Sequence, residues 1–174
     1  MKAEGEIMAI LDLFETLETL LRQHEQMIAL GERKREALIA NDVGVLNEAV
    51  NKESRLIKAI AESEGDWRKV VAGFLAEQGL SGNAGSKISD LVRVLPSSED
   101  KTKLQSLADK LLSIIERLKE LNGTNMNLTK QAIEFNEFSL NLITSPFDDR
   151  DFVYKKPADY GRSQNSLKLF DSKA

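Results

Sequence analysis

The sequence predicts an all-α protein: a long antiparallel helical bundle or coiled-coil hairpin whose final helix is the longest and ends in a flexible C-terminal arm. Three observations carry that expectation. A seven-residue apolar repeat runs through Leu104, Leu107, Leu111, Ile114, Leu118, Leu121, Asn125, Leu128, Ala132, Phe135, Ser139 and Leu142, the a/d seam of one long packed helix, interrupted only at Asn125 and Ser139. Two earlier segments repeat apolar residues at the same helical spacing. Glycine clusters and prolines fall between the periodic segments, where they punctuate the chain.

The first helix is expected from about Gly5 to Ala40. Ile7, Ile10, Phe14, Leu17, Leu21, His24, Ile28 and Leu38 form its seam, and Leu11, Leu13, Leu20 and Met27 widen the face enough to meet two partner helices. Asn41-Asp42 then breaks the pattern with side chains able to accept from the free amides of a new first turn, so the chain should reverse sharply there. The second helix takes up the heptad at once with Val43, Leu46, Val50, Glu53, Ile57, Ile60, Glu64, Trp67, Val71 and Phe74. So short a connection makes neighbours antiparallel and brings Glu53 near Arg33, Lys34 and Arg35, the setting for a register-fixing ion pair.

Gly79, Gly82 and Gly85 remove helical tendency from the next stretch, which reads as a loop; Gly85-Ser86-Lys87 lacks the order of a phosphate-cradling motif. Ser86 or Ser89 opens a short third helix ending at Val94, whose Ile88, Leu91 and Val92, with Leu95, should plug one end of the bundle. Pro96 stops it, and Ser97, Ser98 and Asp100 form the start signal of the fourth helix, about 65 Å long at about 1.5 Å per residue. Gly123 marks a bend in that helix, and Pro146 ends its periodicity. The expected domains are a helical body over residues 1–145 and a flexible binding tail over 146–174, whose scattered aromatics cannot close a core of their own.

Composition excludes several kinds of function. With 24 Lys+Arg against 28 Asp+Glu and a net charge of -4, the chain has no basic stripe for phosphate contacts, so nucleic acid is not an expected partner. The absence of cysteine removes disulfides, thiolate metal sites and a cysteine nucleophile. His24 is the only histidine and stands on a leucine-rich seam, a packing position and not a general base. Asp148-Asp149-Arg150-Asp151 lacks the glycine and terminal glutamate of a calcium loop, and two glycosylation-like triplets at Asn122 and Asn127 fall inside a helix. No cofactor or metal is implied, and enzyme activity is not expected. Glu4 and Glu6 stand where a signal peptide is basic, and no apolar run approaches the roughly 20 residues of a membrane span, so a cytoplasmic protein without membrane insertion is expected.

Two segments carry a family resemblance: Lys34-Arg35-Glu36-Ala37-Leu38-Ile39 with Asp42, Leu46, Glu53 and Leu56, and Leu121-Asn122 with Asn125, Leu128, Ala132, Phe135 and Leu142, followed by a tail containing Tyr160-Gly161. Together they resemble the FlgN-type flagellar export chaperones. The resemblance implies a chaperone of the flagellar type III export system that hydrolyses no ATP. Its clients would be hook-filament junction proteins, held by their helical terminal segments so that they do not assemble prematurely. It further implies that the end of the last helix and the tail hold the client, and that an aromatic near the tail, Tyr154 or Tyr160, docks on the export-gate protein.

The residues themselves are compatible with that role. A free amphipathic helix lays its apolar face into a groove between helices through anchors spaced i, i+3, i+4 and i+7. Leu128, Phe135, Phe138, Leu142 and Ile143 are the candidates to line such a groove, joined by Phe147 and Phe152 in the tail. The competing reading makes Leu128 and Phe135 simple bundle core and folds the tail back on its own body. A different class of function, a self-associating structural coiled-coil adaptor, would instead use the Leu104 to Leu142 seam to form a homodimer.

Overall fold

A computed structural model describes residues 2–80 and 87–144, with side chains from Gly5 onward except Glu6. It contains four helices: α1 Lys2–Ala40, α2 Val43–Glu77, α3 Ile88–Val94 and α4 Ser98–Thr144. Contacts divide the chain into two units, 1–136 and 137–174.

In the first unit, α1 and α2 form an antiparallel hairpin. Asn41, at φ 53°, ends α1 in the left-handed region, where its amide donates to the Leu38 carbonyl and that of Asp42 to the Ala37 carbonyl. This is the Schellman arrangement that satisfies the carbonyls a helix end leaves free. Asp42 then caps α2, its carboxylate accepting from the Val45 amide at 3.0 Å. One residue thus closes one helix and opens the next. The other end of α2 closes the same way on Gly79, at φ 74°, with the Leu80 amide reaching the Leu75 carbonyl at 2.9 Å. A β-carbon is disfavoured in that conformation, which is why glycine stands there.

Polar contacts fix the hairpin register. Lys34 Nζ donates to both oxygens of Glu53 at 2.7 Å with both side chains largely buried, as expected for a register-fixing pair. About three turns deeper, Gln23 Nε2 donates to Ser63 Oγ at 2.9 Å. Nearer the turn, Arg33 bonds Glu48 at 3.0 Å. Lys52, by its hydrogen bond, and Arg33, by its charge, hold the Glu48 carboxyl below its ordinary range.

The fourth helix runs parallel to α1, because Lys103 pairs with Glu18 and Arg117 with Glu32, so numbers rise together along both helices. Ser97 Oγ accepts from the Glu99 and Asp100 amides and starts it, while α3 begins one residue before Ser89, with the Asp90 carboxylate accepting from the Lys87 amide. The core gathers at the α3 end: Ile10, Leu13, Phe14 and Leu17 of α1 meet Val71, Phe74 and Leu75 of α2, Leu91 and Leu95 around α3, and Leu104 and Leu107 of α4. The short third helix does plug the bundle, as its apolar patch predicts.

Three expectations about the seams need correction. Ile7 and Leu11 are exposed on α1. Val43, Val50, Ile57 and Glu64 are exposed on α2, whose buried or half-buried face keeps Glu53, Ile60, Trp67, Val71 and Phe74 of the expected seam and adds Ala49 and Leu56. A strict period of seven drifts around a helix of 3.6 residues per turn, so two parallel stripes satisfy the same repeat, and only the partner helix selects one. On α4, the seam is buried at Leu104, Leu107, Leu121 and Asn125, half-buried at Leu111, Ile114, Leu118, Leu128 and Ala132, and exposed at Phe135 and Leu142. The stretch from Leu104 to Asn125 is occupied by α1.

Asn125, an apparent interruption of that seam, is a buried contact. Its Nδ2 donates to the Gly31 carbonyl at 2.8 Å, and its residue exposure is only 2%. A β-carbon on Gly31 would lie 2.7 Å from Leu121 Cδ2, so glycine permits this close approach of α1 and α4. Gly123 has no neighbour within 4 Å of such a position and lies in continuous helix.

Leu104, fully buried, should lose about 2–5 kcal/mol of stability on Leu104→Ala, read as a lower urea midpoint. Gly31→Ala would ordinarily gain about 1 kcal/mol in a helix interior. Here the clash with Leu121 should reverse the sign, to a net loss of about 1–2 kcal/mol, and a gain in urea unfolding would show that Leu121 yields freely.

Candidate functional site

The candidate site residues distribute unevenly over the described chain. In the first unit, Leu128 is half-buried and Phe135 exposed. In the second, Phe138, Leu142 and Ile143 lie on the last turns of α4 with exposures of 61%, 61% and 81%. Phe147, Phe152, Tyr154 and Tyr160 fall outside the described residues.

The structure adds residues that the seam analysis passed over. Met126 and Ile133 in the first unit and Leu140 in the second are also exposed. They repeat at intervals of seven and continue from Leu112, a second stripe beside the one read from the sequence. The signal was present as spacing, but two heptad stripes on one helix cannot be ranked without knowing which meets α1. From Gln131 to Thr144, the only charges on α4 are Glu134 and Glu137.

A concave surface exists elsewhere in the first unit. A groove of about 640 Å³ lies between α1, α2 and α4, with Leu17, Leu20 and His24 as floor and Trp67, Leu112 and Ile115 among its walls. His24 Nδ1 lies 2.7 Å from the Leu20 carbonyl oxygen, a contact within its own helix that accounts for the ring's orientation. His24 is half-buried and lines the groove. Among the described residues no group of three or more His, Cys, Asp or Glu is placed to hold a metal ion. No described helix is long and apolar enough to cross a membrane. What the described chain offers chemically is apolar helical surface.

Comparison with known proteins gives that surface a context. The FlgN protein family model matches residues 8–161. The uncharacterized protein YvyG of Bacillus subtilis (strain 168) is 33% identical over 162 residues, covering 93% of this chain and 97% of its own length. No solved structure matches. The match takes in all of α2, α3 and α4 and most of α1, including the Asn125 contact and the exposed end of α4, and the chain belongs to the FlgN family of flagellar export chaperones.

Proposed function

We propose that the protein is a stoichiometric export chaperone for hook-filament junction proteins, acting in the cytoplasm without catalysis or cofactor. It binds the helical terminal segment of the client, prevents its premature assembly and delivers it to the flagellar type III export apparatus. One observation carries the reading: Phe138, Leu142 and Ile143 are held on a formed helix yet remain largely exposed. Surfaces of this kind on a monomer mark sites of protein association.

The physical logic is that of a helix laid against a helix. A client segment that is amphipathic and unpaired before assembly exposes its own apolar stripe, which is prone to aggregation. Anchors at Phe138, Leu142 and Ile143 cover that stripe through contacts spaced four or five residues apart. Because the anchors are already helical, the client alone loses conformational freedom on binding, which reduces the cost of association. Phe135 and the half-buried Leu128, in the first unit, are further client contacts. In this reading residues 1–145 form the body and 146–174 the partner-binding tail, with Phe147 and Phe152 adding client contacts. Tyr154 or Tyr160 docks on the export gate, an aromatic with a polar tip suiting a surface from which the complex must later release.

The reading is tested by calorimetric titration of the full chain with the C-terminal segment of a hook-filament junction protein. Tight one-to-one binding is expected, and a chain ending at Ser145 should lose most of it while keeping its helical circular dichroism. Phe138→Ala should weaken the complex by about 1–3 kcal/mol, as a central anchor does. Unchanged affinity in that variant would remove Phe138 from the surface, and no binding by the full chain would refute the client assignment.

A further inference from the structure

The groove between α2 and α4 lies in the first unit and is not needed for the client surface proposed on the last turns of α4. Both of its walls are unfinished. On α2, Glu64 lines it, and Ile57 and Val50 stand one and two heptads earlier on the same side of the helix, both exposed. On α4, Leu112 and Ile115 line it, and Met126 follows two heptads after Leu112, again exposed. Two apolar stripes that both repeat every seven residues are complementary to a third helix lying between them.

We infer that this groove is a docking site for an amphipathic helix of a partner protein, which completes a four-helix bundle with α1, α2 and α4. The charges on its walls specify that helix. Near the α3 end, Glu64 on α2 and Asp109 on α4 both line the groove, with Arg68 as the one cation beside them. Ten residues further along α4, about 15 Å at the helical rise, Lys119 interrupts the apolar stripe and forms no ion pair among the described residues. The complementary helix carries a cation at the Glu64–Asp109 end, a carboxylate opposite Lys119, and apolar residues at heptad spacing between them. A polar residue at one position of an otherwise apolar seam sets register, as in coiled coils. A second copy offering its own α4 stripe would present another lysine where a carboxylate is called for, so the occupant is a different chain.

The test uses the full chain and a fluorescein-labelled amphipathic peptide of about 21 residues, three heptads, with leucine at the seam, one central glutamate and lysines at one end. Anisotropy should report saturable binding. Ile57→Glu, on an exposed position, should lower the affinity roughly tenfold or more while leaving circular dichroism unchanged. Lys119→Glu should lower it by roughly three- to tenfold, and exchanging the peptide's central glutamate for lysine should restore it. Ile57→Glu should leave the affinity for the junction-protein segment unaltered, which separates this groove from the client surface. The inference is overturned if the peptide does not bind, if Ile57→Glu binds it equally well, or if sedimentation equilibrium shows a dimer that Ile57→Glu dissociates, since the occupant is then a second copy.

Discussion

The contact of Asn125 with the Gly31 carbonyl is the point from which the rest of the arrangement is measured. A buried amide that misses its acceptor loses the full desolvation cost of the group, about 1–3 kcal/mol, so sliding α4 along α1 by a turn is penalised sharply. Glycine at position 31 makes the approach close enough for the bond, and Leu121 packs onto the space left by its missing side chain. With register set there, Lys103 meets Glu18 and Arg117 meets Glu32. Within the first unit, burial on α4 fades past this contact, to the half-buried Leu128 and the exposed Phe135.

Apolar packing and polar specification divide the labour along the body. The α3 end holds the large buried side chains, including Phe74, Leu13, Leu17, Leu91 and Leu104, and supplies most of the hydrophobic stabilisation. Toward the hairpin turn the contacts become polar: Gln23 with Ser63, Lys34 with Glu53, Asn125 with Gly31. Buried polar pairs add little net stability, yet they penalise every other register because the donors bonded here, Gln23 Nε2, Lys34 Nζ and Asn125 Nδ2, would be left unsatisfied. A hairpin of two long helices with small and β-branched residues on several faces has many near-equivalent registers, and these pairs select one.

This division suits a protein that works by offering surface. A chaperone of helical segments has to expose apolar residues without unfolding or collapsing onto itself. Here stability resides at the α3 end, so the apolar residues on the last turns of α4 and along the open α2 wall are not required to hold the fold together. Glu134 and Glu137 among the exposed apolar residues of α4 also discourage pairing of that surface with a copy of itself, since like charges would meet.

Much of this was legible in the residues. Helical class, the reversal at Asn41-Asp42, an ion pair of Glu53 with one of Arg33, Lys34 and Arg35, the plug formed by α3 and the start of α4 at Ser97 all follow from local chemistry: caps, turn residues, and charges brought together by a short connection. The family likeness was likewise carried by short blocks such as Lys34 to Ile39 and Leu121 to Leu142. What the residues alone did not decide is which of two equivalent stripes faces inward. Val50, Ile57, Met126 and Ile133 have the spacing of core residues and are exposed, whereas Asn125 looks like an interruption and is buried. Periodicity specifies that a helix has an apolar face, but the rotation of that face depends on where the neighbouring helix makes its closest approach. In this protein that approach is set by a glycine and an amide 94 residues apart, a relation between distant positions that exists only once the chain has folded.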